Sequence, residues 1–248
     1  MTTCSTPSCV RSCRPRSAPD RLCILPGTRA DYDRLAHHHY KAGPPATIAR
    51  TAAGLPCVLA ARDGEGRLAG VLVVSMPTLN SSWRRLAWPG VYDTGDKRRD
   101  ATEINRSLRC ISRVIIDPRF RGLGLARRLV EHYLAEALTP RTEAIAAMGH
   151  ICPFFASAGM TAYPLPPSRR DARLHDALAS VGLETWELLE HDRATCALAK
   201  HPWLAREARL WAAGSPSTRR FRHDDPERVL MLAASHASQR PIAYAYGG

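Results

Sequence analysis

The chain has 248 residues, enough for one large domain or for one domain with appendages. It is 45% hydrophobic and 23% charged, which is typical of a globular protein with a sizeable core. No apolar run approaches the roughly 18 residues that a membrane helix needs, and the first residues lack the apolar segment of a secretory signal, so we expect a cytoplasmic protein without membrane contact. The net charge of +12 favours acidic partners such as nucleic acid or a phosphorylated cofactor.

The first 21 residues are rich in Pro, Ser, Arg and Cys and are predicted to form a disordered tail. The cysteines at 4, 9, 13 and 23 do not have the spacing of structural zinc ligands, so we expect no metal site there. The other four cysteines are interpreted as small buried hydrophobic residues: Cys57, Cys110, Cys152 and Cys196.

Residues 22–166 are predicted to form the main domain. The pattern indicates a strand at 23–28, a helix at 29–40 and a β-hairpin at 56–77. Residues 78–108 are polar and aromatic and too long for an ordinary connection, which indicates a lid or a partly disordered segment.

A strand at 109–117 is then followed by a glycine-containing turn and an amphipathic helix at 123–138. This order places free backbone N–H groups at a helix N-terminus, where the positive end of the helix dipole suits an anion. A dinucleotide-binding fingerprint would need a glycine where Arg127 stands, and a P-loop would need Gly-Lys-Ser/Thr, which is absent. A strand at 142–150, a short helix at 153–159 and a strand at 160–166 complete this domain.

The character of the chain changes after residue 166. The segments 168–190, 194–214 and 226–237 have helical periodicity, and the last residues are polar. We therefore predict that residues 167–248 form a C-terminal helical extension with a polar tail.

The central segment resembles the GNAT N-acyltransferase superfamily, whose pyrophosphate loop reads R/Q-x-x-G-x-G/A. The resemblance covers about residues 24–165, and the loop maps onto Arg121, Gly122, Leu123, Gly124, Leu125 and Ala126. It implies an α/β fold with a mixed, mostly antiparallel central sheet flanked by helices, and acetyl-CoA as the co-substrate. It also implies that the loop amides hold the pyrophosphate, and that backbone atoms of Ile115 and Ile116 contact the pantetheine arm where their strand splays from its neighbour.

Two positions depart from the pattern of that superfamily. Many members carry a glutamate on the strand before the loop as general base, and this strand offers only Cys110, Ser112 and Arg113 before Asp117. Many also carry a tyrosine on the following short helix that protonates the departing thiolate, and Phe155 stands at that position. The candidates for these roles are His150, Cys152, Tyr163, His39 and Tyr40.

A second likeness concerns the acceptor. The stretches "EINRSLRCISRVIIDPRFRGLGLA" and "AGMTAY" are similar to acetyltransferase-like domains fused to ABC-type ATPases, and faintly to Mom-type proteins that modify adenine in DNA. The Mom likeness would match His39, Tyr40 and Tyr163 and implies a nucleobase acceptor. Trp83, Trp88 and Tyr92 among basic residues would suit a flipped base, although packing of the tryptophans onto the core is the favoured interpretation.

The sequence thus predicts an acyl-CoA-dependent N-acyltransferase that transfers acetyl to an amine of unknown identity. One alternative is a Mom-like enzyme that modifies a nucleic acid base on the same scaffold. Another is a catalytically silent module that binds CoA or nucleic acid, because the usual acid and base positions are not filled.

Overall fold

The computed structural model describes residues 22–39 and 45–248, and this part of the chain contains a seven-stranded sheet of order β1-β2-β3-β4-β5-β7-β6. Every neighbouring pair is antiparallel except β4 and β5, which are parallel. The sheet confirms the predicted α/β fold. The strands are β1 Cys23–Pro26, β2 Val58–Arg62, β3 Leu68–Ser75, β4 Leu108–Ile116, β5 Arg141–Ala146, β6 Thr161–Pro164 and β7 Ile242–Tyr246.

Nine α-helices flank this sheet in the described residues. They are α1 Arg29–Leu35, α2 Arg84–Ala87, α3 Lys97–Ser107, α4 Leu125–Ala135, α5 Phe154–Ser157, α6 Arg169–Ala179, α7 His191–Lys200, α8 Leu204–Ala213 and α9 Pro226–Ala237. None of these helices is long and apolar enough to cross a membrane. The predicted tail at 1–21 and the candidate Tyr40 lie outside the described residues.

The two faces of the sheet are covered by different elements. Helices α4 and α5 cover one face, where Leu129 and Phe155 pack in the largest core cluster. On the other face, α1 covers β2 and β3, and residues 78–92 cover β7. Trp83, Trp88 and Tyr92 are buried there, which confirms that the tryptophans pack onto the core.

The last strand corrects the prediction for the end of the chain. β7 lies between β5 and β6, with Tyr244 opposite Ala144 and Ala245 opposite Thr161. Residues 242–246 are therefore a strand and not part of a polar tail. The alternation of alanine and tyrosine explains this, because Ala243 and Tyr244 bury their side chains on opposite faces of the sheet.

Helices α6 to α9 consequently lie between β6 and β7 in the chain, as an insertion and not as an extension after the sheet. They form a core of their own, in which Leu174, Leu178, Leu204 and Leu230 are almost completely buried. The helical content predicted for this region is confirmed, and its place in the topology is new.

Candidate active site

The parallel strands β4 and β5 separate halfway along their length. They pair only from Leu108 with Arg141 to Ile111 with Ala144. Beyond that point residues 113–116 of β4 pair with β3, and residues 145–146 of β5 pair with β7. The gap between the two strands, called the split below, exposes backbone groups of β4 that no described strand uses. Ile115 and Ile116 lie at its open end.

A bulge in β4 marks the beginning of the split. Val74 pairs with Ile111 and Val73 with Arg113, so Ser112 is the extra residue. The Ser112 hydroxyl lies 2.6 Å from the Ser75 hydroxyl, which ties the bulge to β3. The bend of β4 away from β5 is therefore built into the sheet.

The loop after β4 has a fixed shape. The Asp117 carboxylate accepts hydrogen bonds from the side chain and the backbone N–H of Arg119, and these bonds hold the pKa of Asp117 well below its usual range. Gly122 and Gly124 then adopt φ values of +80° and +70°. An added Cβ would meet no atom within 4 Å at either glycine, so the backbone conformation and not lack of space requires these glycines.

The N-terminus of α4 is open. Gly124 is its N-cap, no side chain in the described chain caps it, and the Arg128 N–H makes the first bond back, to the Gly124 carbonyl. The amides of residues 125–127 therefore point out of the helix toward solvent, where an anion can accept their hydrogen bonds. Leu125 anchors the helix start in the core, and Arg121 donates from Nε to the Ile116 carbonyl at 3.3 Å.

His150 and Cys152 lie on the turn that follows β5, and both are exposed. The Tyr244 hydroxyl donates to the Gly149 carbonyl at 3.2 Å and so fixes this turn to the sheet. The Tyr244 ring lies 5.1 Å from that of Phe155. Sequence reasoning missed Tyr244, although the alternating "IAYAY" was a signal for a strand.

The remaining candidates lie on other elements. Tyr163, on β6, packs against Trp83 with 6.0 Å between ring centroids and lines a pocket of about 590 Å³ with Trp88 and Arg141. His39 is half-buried just after the 3-10 turn that ends α1. Among the described residues no hydrogen bond joins Tyr163 to the turn that carries His150.

The cysteine predictions are only partly correct. Cys57 is buried, whereas Cys152 and Cys196 are exposed because they lie on a surface turn and on the outer side of α7. Cys110 is half-buried on β4, and burial with the neighbouring Glu143 carboxylate raises its pKa to about 12. Its thiol is therefore protonated at neutral pH and is a poor nucleophile.

A buried ion pair lies beside the split on the face opposite α4. The guanidinium of Arg84 donates to both carboxylate oxygens of Glu143, at 2.8 and 2.6 Å, and the two side chains are 2% and 4% exposed. Glu143 is in register with Cys110, one residue before the last β4–β5 pair. Arg84 is one of the basic residues among which Trp83, Trp88 and Tyr92 stand in the sequence, and its burial removes it from any surface that could contact nucleic acid.

Comparisons with known proteins agree with this geometry at the level of the family. The model of the acetyltransferase (GNAT) family matches residues 24–153. A comparison with curated protein sequences found no match.

Several solved structures are similar to the chain. A mutant of the spermidine N-acetyltransferase SpeG from Vibrio cholerae has 11% identity and a TM-score of 0.37, over 60% of this chain and 85% of that chain. Arylalkylamine N-acetyltransferase 2 from Aedes aegypti has 16% identity and a TM-score of 0.36, over 58% and 85%. NAA60 from Arabidopsis thaliana in complex with acetyl-CoA has 16% identity and a TM-score of 0.36, over 57% and 85%.

Proposed function

Since the chain belongs to the acetyltransferase (GNAT) family, we propose that it transfers the acetyl group of acetyl-CoA to an amine. The observation that carries this proposal is the split between β4 and β5, which ends beside an uncapped helix N-terminus. A slot of unpaired strand backbone next to a cradle of amides matches an extended cofactor with a neutral arm and a pyrophosphate.

The residues of the loop would hold the cofactor in this proposal. The amides from Gly122 to Ala126 would donate to the pyrophosphate, assisted by the dipole of α4, and Arg121 would add a positive charge at the rim. The backbone of Ile115 and Ile116 would hydrogen-bond the amides of the pantetheine arm inside the split. The arm would then direct the thioester toward the bulge at Ser112.

The transfer itself forms one bond and breaks one. The amine nitrogen attacks the thioester carbonyl carbon, the C–N bond forms, the C–S bond breaks, and one proton passes in net from nitrogen to the CoA sulfur. A backbone amide at the split would stabilise the oxyanion. His150, on the turn that follows β5, is our candidate for accepting the proton, with His39 and Tyr163 as the candidates on the other elements.

Calorimetry with acetyl-CoA tests the cofactor assignment. We expect Gly124→Trp to weaken binding about 100-fold, because a large side chain would fill the cradle and several charge-assisted hydrogen bonds would be lost. Gly66→Trp is the matched control, since Gly66 also has a positive φ of 78° and open space but lies on the β2–β3 turn. Absence of binding to the wild type, or equal binding by the two variants, would contradict the assignment.

Release of free thiol in the presence of amines tests the catalytic candidates. His150→Ala, His39→Phe, Tyr163→Phe and Cys152→Ala are compared with the wild type on a panel of small amines, a lysine peptide and oligonucleotides. Normal turnover in all four variants would show that these candidates are wrong. Acetyl-CoA binding without any turnover would favour the catalytically silent module.

The nucleic acid alternative has weaker support. Lys97, Arg98 and Arg99 are exposed at the start of α3, which suits phosphate contacts. The aromatic residues of the same segment are buried and offer no platform on which a base could stack. Filter binding across a salt series measures this directly, and a flat salt response would argue against a phosphate-tracking surface.

A further inference from the structure

Arg113 has an unusual place in the sheet. It follows the bulge residue Ser112 and lies in the part of β4 that has separated from β5. Its neighbour Ile115 packs on the α1 face, whereas Val114 packs on the α4 face. Because side chains alternate along a strand, Arg113 extends on the same face as Ile115, opposite the helix that begins at the cofactor loop.

Two apolar clusters cover the ends of β4 on that face, with Ile115 in one and Leu108 in the other, and leave the middle of the strand between them. The cluster under α1 covers β2 and β3, and the cluster of residues 78–92 covers β7. The side chains in the interval are polar: Cys110 and Arg113 on β4, and Glu143 on β5. The Arg84 guanidinium bonds to Glu143, which is in register with Cys110, and the Arg113 guanidinium bonds to the carbonyl of the bulge residue Ser112. Both guanidinium groups therefore lie close to the beginning of the split.

The charge of Arg113 is not neutralised by the part of the chain that the structure describes. Its Nη1 donates to the Ser112 carbonyl at 2.7 Å, its Nε is buried without a hydrogen-bond partner, and no described carboxylate lies within 4.0 Å. The nearby Glu143 has both of its carboxylate oxygens bonded to Arg84.

A half-buried cation without a counter-charge costs free energy that a bound anion would recover. Arg62, which is also half-buried, has such a partner in Asp31. Arg109 has no carboxylate partner among the described residues, but it lies where β4 is still paired with β5, whereas Arg113 lies in the split. The position of Arg113 therefore indicates that a molecule bound at the split supplies the anion.

Acetyl-CoA is a poor source for that anion. Its charges lie on its phosphates, which the proposed function places at the loop after Ile116. Arg113 is several residues before this loop, about 3.3 Å per residue along the strand, where the arm of the cofactor is uncharged. The anion must then belong to the second substrate.

We infer that Arg113 binds a carboxylate or phosphate group of the acceptor, so that the acceptor is an amine carrying a negative charge close to its reacting nitrogen. This inference rests on the proposed acetyl transfer and names its substrate class. An α-amino acid or a phosphorylated amine fits the class, whereas a polyamine or a simple arylalkylamine does not.

Matched pairs of amines test the inference. Phenylalanine is compared with phenethylamine, tryptophan with tryptamine, and phosphoethanolamine with ethanolamine, by kcat/KM for thiol release from acetyl-CoA. We expect the wild type to prefer the anionic member of at least one kind of pair by about 10- to 100-fold, the effect of a hydrogen-bonded charge pair. The amino acid pairs and the phosphate pair distinguish the two sources of the anion.

Variants of Arg113 test whether this residue is responsible for the preference for the anionic amine. We expect Arg113→Met to reduce it to about threefold or less and Arg113→Lys to retain part of it, with the acetyl-CoA Kd unchanged in both. Arg109→Met is the control, because Arg109 is also half-buried on β4 and also donates only to backbone carbonyls, but it lies where β4 is paired with β5 and therefore outside the split. Its substitution should leave the preference intact.

Several results would overturn the inference and leave the proposed function standing. These are faster turnover of the neutral amines, turnover of neutral amines without turnover of any anionic member, an equal loss for both members of a pair in Arg113→Met, or a weaker acetyl-CoA Kd in that variant. Failure of the wild type to bind acetyl-CoA would refute the proposed function itself.

Discussion

The helices inserted between β6 and β7 and the rest of the described chain differ in how completely their buried polar groups are hydrogen-bonded. In the insertion, Asp171 accepts hydrogen bonds from the Trp211 indole at 2.7 Å and from the Ser168 hydroxyl at 2.5 Å, and Arg173 pairs with Glu207. In the rest of the described chain, one strand leaves its neighbour, and every buried side-chain polar atom without a hydrogen-bond partner lies at positions 51–142, the Arg113 Nε included. Four of these atoms belong to β4 and β5, the strands that form the split, and none belongs to the insertion.

The net charge also differs between the region that carries the split and the insertion. Residues 22–165 contain 19 Lys and Arg against 12 Asp and Glu, whereas residues 166–241 contain 12 against 10. A basic composition shared by the whole chain would give both regions the same excess per residue, whereas the excess is 7 over 144 residues in the first region and 2 over 76 in the second. The excess is larger in the region that carries the split, which agrees with ligands that bear negative charge.

The largest expected effect concerns the buried ion pair of Arg84 and Glu143, in which the sheet does neutralise a buried charge. Arg84→Met should lower the free energy of unfolding by about 3–5 kcal/mol, because it leaves Glu143 buried without its partner. The double variant Arg84→Met/Glu143→Leu should recover most of this loss, since it removes both charges. Urea unfolding measures both values.

Arg85→Met is the control for that prediction. Arg85 is on the same helix as Arg84 but is exposed, so its loss should cost less than about 0.5 kcal/mol. If Arg84→Met is no more destabilising than Arg85→Met, the ion pair does not hold residues 78–92 on the sheet.

The second effect separates the stability of the insertion from cofactor binding. Leu230→Ala should destabilise the protein by about 3 kcal/mol, because Leu230 is fully buried in the core of the inserted helices. The acetyl-CoA Kd of the folded variant should stay at the wild-type value. Weaker acetyl-CoA binding would show that the insertion shapes the split, and it would contradict the view that the insertion only stabilises the protein.

Features with local signals could be predicted from the sequence. The helix predicted at 123–138 is α4, Leu125–Ala135, and the strand predicted at 109–117 is β4, Leu108–Ile116. Apolar periodicity and the turn glycines determine these elements with little help from the rest of the chain. The loop at Arg121 to Ala126 was recognisable for the same reason.

Features that depend on distant pairing could not be predicted. β7 is short, and its partners Ala144 and Thr161 precede the whole insertion. The ion pair of Arg84 and Glu143 joins residues 59 positions apart. Whether a carboxylate lies near Arg113 depends on which distant residues the fold brings close to it, and no local sequence pattern contains that information.

A third effect tests whether the hydrogen-bonded carboxylate of Asp171 stabilises the insertion. Burial would raise the pKa of Asp171, but hydrogen bonds with His236, Ser168 and Trp211 outweigh it and hold the pKa well below its usual range. The folded pKa is therefore lower than the unfolded one, and the stabilisation is present above the unfolded pKa of about 3.9 and lost as the pH falls below it.

Asp171→Asn should accordingly lower stability by about 2 kcal/mol at pH 7. It should also make the unfolding free energy fall less steeply than in the wild type as the pH decreases below 4. Asp176→Asn, at an exposed site on the same helix, is the control and should keep the wild-type profile. Parallel pH profiles for Asp171→Asn and the wild type would show that the ionised Asp171 carboxylate does not stabilise the folded protein.

The smallest effect lies where the two regions meet. Tyr244 is on the strand that returns from the insertion, and its hydroxyl, whose pKa is raised by burial, stays protonated and donates to the Gly149 carbonyl. Tyr244→Phe should cost only about 1 kcal/mol in unfolding. It should also speed hydrogen exchange of the turn that carries His150.

Tyr246→Phe is the matched control, because Tyr246 is on the same strand and 39% exposed. If both variants leave the turn unchanged, packing alone positions it and the Tyr244 hydroxyl is dispensable. If only Tyr244→Phe loosens the turn, the strand that follows the insertion contributes directly to the site, because one hydroxyl group connects it to the residue before His150.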